Sequence, residues 1–128
     1  MSGGRSGRVV HFEIPYDDAE RARTFYAEAF GWSIDVLPSL DYTVVTTGPS
    51  DETGPLDPGY VNGGMAPRDA PLASPAVVVE VDDIDVALTR VEELGGRTVL
   101  ARTQVGDIGW SAYVTDTEGN VVGLWQGA

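Results

Sequence analysis

His11 and Glu13 are the residues whose types and spacing most clearly suggest chemistry, and His11 is the only histidine in the chain. They lie in the stretch RVVHFEIP (8–15), where side chains alternate as they do in a β-strand. Residues two positions apart on a strand point to the same side, about 7 Å apart along it. The pair could transfer protons or help to bind a metal ion. Alternatively, His11 is a hydrogen-bonded residue of a pocket wall and Glu13 is a partly solvated carboxylate.

Aromatic side chains on predicted strands form a second group of candidates. Trp125 has the same strand parity as Gly123, and a flat ring beside a glycine gap would suit an apolar or aromatic ligand. The alternative is that the tryptophans fill the core and internal interfaces. The predicted ligand-binding residues are His11, Glu13, Glu80, Trp110, Tyr113, Gly123 and Trp125.

The composition excludes several classes of function. The 128 residues include 20 acidic and 8 basic side chains, every base is arginine, and the net charge is −12. Such a charge repels nucleic acids and anionic membranes, so we expect neither as a partner. Without cysteine there is no thiolate nucleophile and no cysteine-based zinc site. No apolar run approaches the roughly 20 residues of a membrane span and the N-terminus lacks the apolar region of a signal peptide, so we expect a cytoplasmic protein.

Two amphipathic helices are predicted, over 18–30 and 83–94. Asp17 is the predicted N-cap of the first helix and Gly31 ends it, while either residue of the Asp pair 82–83 caps the second. The apolar stripes expected to face the core are Ala19, Ala22, Phe25, Tyr26, Ala29 and Phe30 in the first helix, and Ile84, Ala87, Leu88, Val91 and Leu94 in the second.

The order of one strand, one helix and three strands occurs twice, which indicates an internal duplication within a single domain. The first βαβββ module covers 8–65, the second covers 76–126, and the proline-containing stretch 66–75 is the predicted linker. The predicted fold class is α+β, with two tandem modules whose curved sheets enclose a pocket and whose helices lie outside. The predicted strands are 8–15, 32–37, 41–48, 59–65, 76–81, 97–103, 109–116 and 120–126.

Three stretches in this arrangement resemble the vicinal oxygen chelate superfamily, which includes glyoxalase I, bleomycin-resistance proteins and extradiol dioxygenases. They are FYAEAFGW, which ends the first helix, VDDIDVALTRVEELGG around the second helix, and the terminal DTEGNVVGLWQ. The resemblance runs from Val9 to Gln126. It implies the paired βαβββ fold and, in the metalloenzymes, a metal ligand on the first and last strand of each module, usually His or Glu.

His11 stands where the resemblance implies a ligand on the first strand. The other three implied positions fall at Ala76, at Gly63 or Gly64, and at Gly123, where no side chain can donate to a metal. Catalytic divalent ions normally need three protein ligands, so we predict no metal site. A rebuilt set of His11, Glu13 and Glu80 would still allow a divalent ion, but no spacing in the sequence demands it.

The sequence therefore favours a metal-independent protein that binds a small apolar or aromatic molecule, as bleomycin-resistance proteins do. The alternative is an enzyme of the glyoxalase or dioxygenase kind, with a rebuilt metal site or with His11 and Glu13 as an acid–base pair. We expect a homodimer, because the resemblance implies pairing of chains and because open sheets leave edges that need cover.

Overall fold

The computed structural model describes residues 6–38, 42–69 and 71–128, and in this part of the chain it contains two helices and ten strands. The helices are α1 (Ala19–Phe30) and α2 (Ile84–Glu93). The strands are β1 (Val9–Tyr16), β2 (Ser33–Leu37), β3 (Tyr42–Thr46), β4 (Ser50–Asp51), β5 (Gly54–Pro55), β6 (Gly63–Pro67), β7 (Ala76–Glu80), β8 (Arg97–Val105), β9 (Gly109–Thr115) and β10 (Val121–Gly127). The predicted α+β class and the repeated βαβββ order are confirmed, with the short β4–β5 hairpin inserted before β6.

The chain folds into two compact units. The first is His11–Pro75, and the second combines the described residues up to Val10 with Ala76–Ala128. The stretch before His11 belongs to the second unit because its backbone pairs with β7. The amide of Gly7 donates to the carbonyl of Glu80 at 2.6 Å, and the amide of Glu80 donates to the carbonyl of Arg8 at 2.9 Å.

The first unit has the strand order β2-β3-β6-β1, in which β1 and β6 run parallel and the other neighbours run antiparallel. Its helix begins after Asp18, whose carboxylate accepts the amide of Arg21 at 2.9 Å. The predicted cap Asp17 is therefore wrong by one residue, and its carboxylate instead accepts a bond from Arg68. The predicted end is confirmed, since Gly31 adopts the left-handed conformation with φ of 73°, which glycine tolerates best.

The core of the first unit is built on Tyr16, Val45 and Met65, and the side of α1 that reaches it is narrow. Tyr26 packs there together with the small residues Ala19 and Ala22. Phe25 and Phe30 do not, and they are 57% and 61% exposed. The prediction that both phenylalanines are core residues is wrong, because they lie beside the buried side of the helix. Their rings instead contact each other and Tyr26 edge-on or tilted.

The second unit has the strand order β7-β10-β9-β8, with β7 and β10 parallel. Its core contains Ile84, Ala112, Val114 and Leu124. The predicted residue Leu94 is exposed at the end of α2 and lies outside this core.

The start of α2 is held by two side chains. The carboxylate of Asp83 accepts the amide of Val86 at 3.1 Å, so the second residue of the predicted pair is the cap. The side-chain oxygen of Gln126 accepts the amide of Ile84 at 2.9 Å. Because early helix amides have no partner inside the helix, this bond ties α2 to β10.

The turn between β9 and β10 is organised by Asp116, as the sequence TEGN indicates. Its carboxylate accepts the backbone amides of Glu118 and Asn120, and the side-chain amide of Asn120 donates to it at 3.0 Å. The hydrogen bonds from Asn120, and then that from Glu118, hold the pKa of the Asp116 carboxyl below its ordinary value of 3.8.

The predicted linker 66–75 is partly structured, because β6 extends to Pro67 and Asp69 pairs with Leu72. Position 70 of this stretch and position 41 of the predicted third strand lie outside the described residues. The pocket shared by the two modules stays a prediction. Neither helix in the described residues is long and apolar enough to cross a membrane.

A bond between Arg23 and Thr43 links α1 to β3, and it generates a stability prediction. The guanidinium Nε of Arg23 donates at 2.9 Å to the hydroxyl of Thr43, which is completely buried. Arg23→Met should lower the free energy of unfolding by about 1–3 kcal/mol, because it leaves a buried hydroxyl without its partner. Denaturant titration measures the change.

The matched control is Arg21→Met, since Arg21 is exposed on the same helix, and it should change stability by no more than about 0.5 kcal/mol. In a Thr43→Val background most of the cost of Arg23→Met should disappear. A full cost in that background would show that the hydrogen bond is not its source.

Candidate functional site

The candidate site lies on the face of the first unit opposite α1. Strand alternation sends Phe12 and Ile14 of β1 into the core beneath the helix, so His11 and Glu13 point to the opposite face. The same alternation acts on β3, where buried Thr43 and Val45 face the core and Tyr42 faces away from it. Three polar side chains from two strands therefore share one face.

His11, Glu13 and Tyr42 form a closed hydrogen-bond network. The hydroxyl of Tyr42 donates to both carboxylate oxygens of Glu13, at 3.0 Å each. Nε2 of His11 lies 3.1 Å from Oε2 of Glu13 and 2.8 Å from the hydroxyl of Tyr42. The Glu13 side chain is 13% exposed and that of His11 is 31% exposed, so solvent and small molecules reach the histidine more readily.

Gly64 makes this network sterically possible. It pairs with Glu13 across β1 and β6 and is buried. A Cβ atom at Gly64 would lie 1.6 Å from the hydroxyl oxygen of Tyr42, which no packing tolerates. Gly64 is one of the positions where the family resemblance implies a metal ligand, and here the missing side chain provides the space that Tyr42 occupies.

The structure places Glu80, Tyr113, Gly123 and Trp125 in the second unit, on the face opposite α2. Gly123 pairs with Val78 on one side and with Tyr113 on the other, and Trp125 pairs with Glu80. A Cβ at Gly123 would lie 2.9 Å from a methyl group of Val78 and 3.3 Å from the ring of Tyr113. The gap predicted beside Trp125 is thus taken by side chains of this unit.

Trp110 lies on the other face of the same sheet. It packs against the core cluster that includes Ile84, and the guanidinium of Arg102 lies 5.7 Å from the centre of one of its rings. Because neighbouring residues on a strand point to opposite sides, Trp110 is separated from Tyr113 and Trp125 by the sheet itself. Trp110 is partly buried and packs against the core of the second unit, on the side of the sheet away from Tyr113 and Trp125.

The donor set does not fit a metal centre. Among residues 6–38, 42–69 and 71–128, no group of three or more His, Asp or Glu side chains is placed to hold a metal ion. The strand register also shows which residues of the two modules correspond. Gly64 pairs with Glu13 in the first module and Gly123 pairs with Val78 in the second, so Val78 corresponds to Glu13 and the residue two positions earlier corresponds to His11. Ala76 is therefore the counterpart of His11, and the second module offers no ligand there.

Tyr42 is the site residue that sequence reasoning missed. The sequence identified it only as one of several aromatic residues on strands, and nothing in its spacing from His11 and Glu13 indicates a contact. Its hydroxyl reaches them because β3 pairs with β6 and β6 pairs with β1. The one available signal was the glycine pair at 63 and 64, since glycine inside a strand often marks a close approach of other groups.

Comparison with known proteins finds a matching family model and similar relatives. The model of the bleomycin resistance protein-like N-terminal family matches residues 8–48, the stretch that holds β1 to β3. A Mycobacterium tuberculosis protein, CFP32, named as a glyoxylase, is 28% identical over 131 residues. That alignment covers 95% of this chain but 46% of the relative, so the chain spans less than half of the relative's length.

Solved structures agree in fold. A glyoxalase/bleomycin resistance protein/dioxygenase superfamily member from Vibrio splendidus 12B01 superposes with a TM-score of 0.64 at 20% identity, covering 96% of this chain and 100% of that one. Methylmalonyl-CoA epimerase from Mycobacterium tuberculosis has the same TM-score at 16% identity, covering 100% of this chain and 93% of that one. At such identities the likeness establishes the fold alone.

The close approach of Tyr42 to Gly64 generates the second prediction. Gly64→Ala should destabilise the protein by about 1–3 kcal/mol, because the added methyl group forces the Tyr42 ring away from Glu13 and His11. In a Tyr42→Ala background the same substitution should cost much less, since the ring is gone. Denaturant titration of the four proteins measures the coupling.

Gly127→Ala is the matched control, because Gly127 is exposed on β10 and a Cβ there makes only an ordinary contact at 4.0 Å. We expect it to change stability by no more than about 0.5 kcal/mol. Equal costs of Gly64→Ala with and without the Tyr42 ring would contradict the steric explanation.

Proposed function

Because residues 8–48 match the bleomycin resistance protein-like N-terminal family and the fold is shared with a glyoxalase/bleomycin resistance protein/dioxygenase superfamily member, we propose that this chain binds a small apolar or aromatic molecule without the help of a metal ion. The ligand would lie on the face that carries His11, Glu13 and Tyr42. We also propose that this binding takes place in the cytoplasm.

The observation that carries the proposal is the closed network itself. The imidazole nitrogen Nε2 of His11 and both oxygens of Glu13 are engaged with each other or with Tyr42. Polar groups that satisfy one another in this way need no ion to stabilise them. A metal ion at these atoms would have to break the network first, which supports metal-independent binding.

The surroundings of the network favour an apolar ligand with a polar group. Leu37 pairs with Tyr42 and Val44 pairs with Gly64, so both side chains share the face with the network. They offer apolar surface beside a single polar cluster, the usual composition of a small-molecule site. The net charge of −12 disfavours an anionic ligand.

Metal analysis tests this proposal directly. Protein purified without chelator and without an affinity tag should contain far less than one metal ion per chain, and His11→Ala should leave that content unchanged. Elemental analysis measures it, and mass spectrometry of small molecules released by denaturation identifies co-purified ligands. Stoichiometric nickel, zinc, iron or manganese would overturn the proposal.

His11→Ala has a second expected effect, on stability. It should cost about 1–3 kcal/mol, the range for removing one partner of a largely buried hydrogen bond. Ligand affinity should fall modestly through the loss of one polar contact.

An acid–base enzyme is the second candidate, and the contact between His11 and Glu13 favours it. A carboxylate that accepts the Nε2 proton would stabilise the imidazolium formed when Nδ1 takes a proton from a substrate. In that case His11→Ala should preserve the fold and lower turnover by roughly two to four orders of magnitude. Robust metal-dependent conversion of the methylglyoxal–glutathione adduct would instead contradict both candidates, because that reaction would rest on a metal centre.

Assembly is a further part of the proposal. The strand β2 ends the strand order of the first unit and β8 ends that of the second, and exposed strand edges favour pairing with another chain. We expect a homodimer, so light scattering at micromolar concentration should report twice the monomer mass of 13.6 kDa. A mass equal to the monomer would contradict this expectation.

A further inference from the structure

His11 has two ring nitrogens, and the network engages only Nε2. Nδ1 has no hydrogen-bond partner in the part of the chain that the structure describes. The His11 side chain is 31% exposed, so part of the ring is open to a bound molecule. Its chemistry depends on which of the two nitrogens holds the proton in the neutral ring.

The protons of the network can be assigned from its donors and acceptors. Tyr42 has one hydroxyl proton, and the hydroxyl lies 3.0 Å from both oxygens of Glu13. A carboxylate has acceptors only, so Nε2 of His11, 3.1 Å from Oε2, must supply a proton to make an attractive contact. The same N–H also points toward the hydroxyl oxygen of Tyr42 at 2.8 Å.

The same distances disfavour the opposite tautomer of His11, in which the proton is on Nδ1 and Nε2 is unprotonated. An unprotonated Nε2 would place its lone pair against the carboxylate of Glu13. Tyr42 would then have to turn its only proton from Glu13 to His11, and the largely buried carboxylate would lose that donor. Leaving a buried charged acceptor without donors is costly.

We infer that Glu13 and Tyr42 fix neutral His11 with its proton on Nε2, so that Nδ1 is a hydrogen-bond acceptor for the hydroxyl or N–H group of a bound molecule. This inference rests on the proposed binding function and specifies the ligand further. The ligand class is a neutral aromatic molecule with such a donor, for example a phenol. Carboxylates and phosphates do not fit, because they would bring acceptors and negative charge to an acceptor.

Glu13 and Tyr42 are positioning residues in this account, and His11 makes the contact. The hydroxyl of a phenol would donate to Nδ1 while its ring lies on the same face of the sheet, which also carries the apolar side chain of Val44. Removing that hydroxyl should weaken binding by about tenfold, the effect of one hydrogen bond of about 1.4 kcal/mol.

Nitrogen-15 NMR tests the tautomer, and the single histidine means that one imidazole accounts for the whole spectrum. At a pH where the ring is neutral, the wild-type protein should show the proton on Nε2 and an unprotonated Nδ1. The Nε2 proton should exchange slowly with solvent. A proton found on Nδ1 in the wild-type protein would overturn the inference, and this measurement needs no variant.

Glu13→Gln tests the role of the carboxylate. It should make exchange of the Nε2 proton at least about tenfold faster, because a bond to a charged acceptor is replaced by a weaker one. The control Glu20→Gln removes an exposed carboxylate on α1 and should leave the exchange rate unchanged. Equal exchange rates in Glu13→Gln and the wild-type protein would overturn the role of Glu13.

A matched pair of probes tests the ligand class. 2-Naphthol and 2-methoxynaphthalene share one ring system and differ in the hydroxyl proton. Calorimetry should find 2-naphthol bound about tenfold more tightly, and it alone should shift the Nδ1 resonance of His11.

Equal binding of both probes without a shift at Nδ1 would overturn the acceptor inference while supporting the proposed apolar binding function. Binding of neither probe would count against both the proposed function and the ligand class. The tautomer result would remain a separate test, so the two failures can be told apart.

Discussion

Parallel pairing between the first and last strands of each module sets the positions on which the rest of the structure depends. In the first unit it aligns Glu13 with Gly64, and in the second it aligns Val78 with Gly123. Each pair lies on the face opposite the helix, and in each pair the last strand contributes a glycine. The space above that glycine is then filled by a side chain from the neighbouring strand, which is how a third residue reaches the pair.

The two modules use the same backbone arrangement for different chemistry. Above Gly64 lies the ring of Tyr42, whose hydroxyl joins Glu13 and His11 in a polar network. Above Gly123 lie apolar groups, the methyl of Val78 and the ring edge of Tyr113. At equivalent positions, the first module therefore carries a polar network and the second carries a largely apolar cluster. The difference lies in a few side chains, while the strand order and pairing are shared.

The polar network explains how a lone histidine can be held in place where the positions that the resemblance implies as further metal ligands, Ala76, Gly64 and Gly123, have no donor. Its Nε2 is held by Glu13 and Tyr42, so its orientation is fixed by the protein alone. A fixed imidazole with one accessible nitrogen is suited to directional contact with a neutral ligand. The same arrangement of a carboxylate behind an imidazole would also stabilise a transferred proton, which is why binding and acid–base chemistry are the two functions that this geometry supports.

Strand alternation in the sequence correctly separated Phe12 and Ile14 from His11 and Glu13, because period-two patterns follow from local backbone geometry. Helix positions were predicted equally well, although the cap fell on Asp18 instead of Asp17. Burial on α1 was predicted less well. Phe25 and Phe30 belong to the apolar stripe, but how much of a stripe is covered depends on the partner surface.

By itself, the sequence determined the two βαβββ modules, the face on which His11 and Glu13 lie, and the absence of donors at Ala76, Gly64 and Gly123. Only the tertiary structure decided that Tyr42 completes the network and that Trp110 packs against the core. Tyr42 lies 29 residues from Glu13 along the chain, and their contact requires the register of β1, β6 and β3 together. Register between distant strands is fixed by packing and backbone pairing across the sheet, so the alternation within one strand does not identify its partner residues.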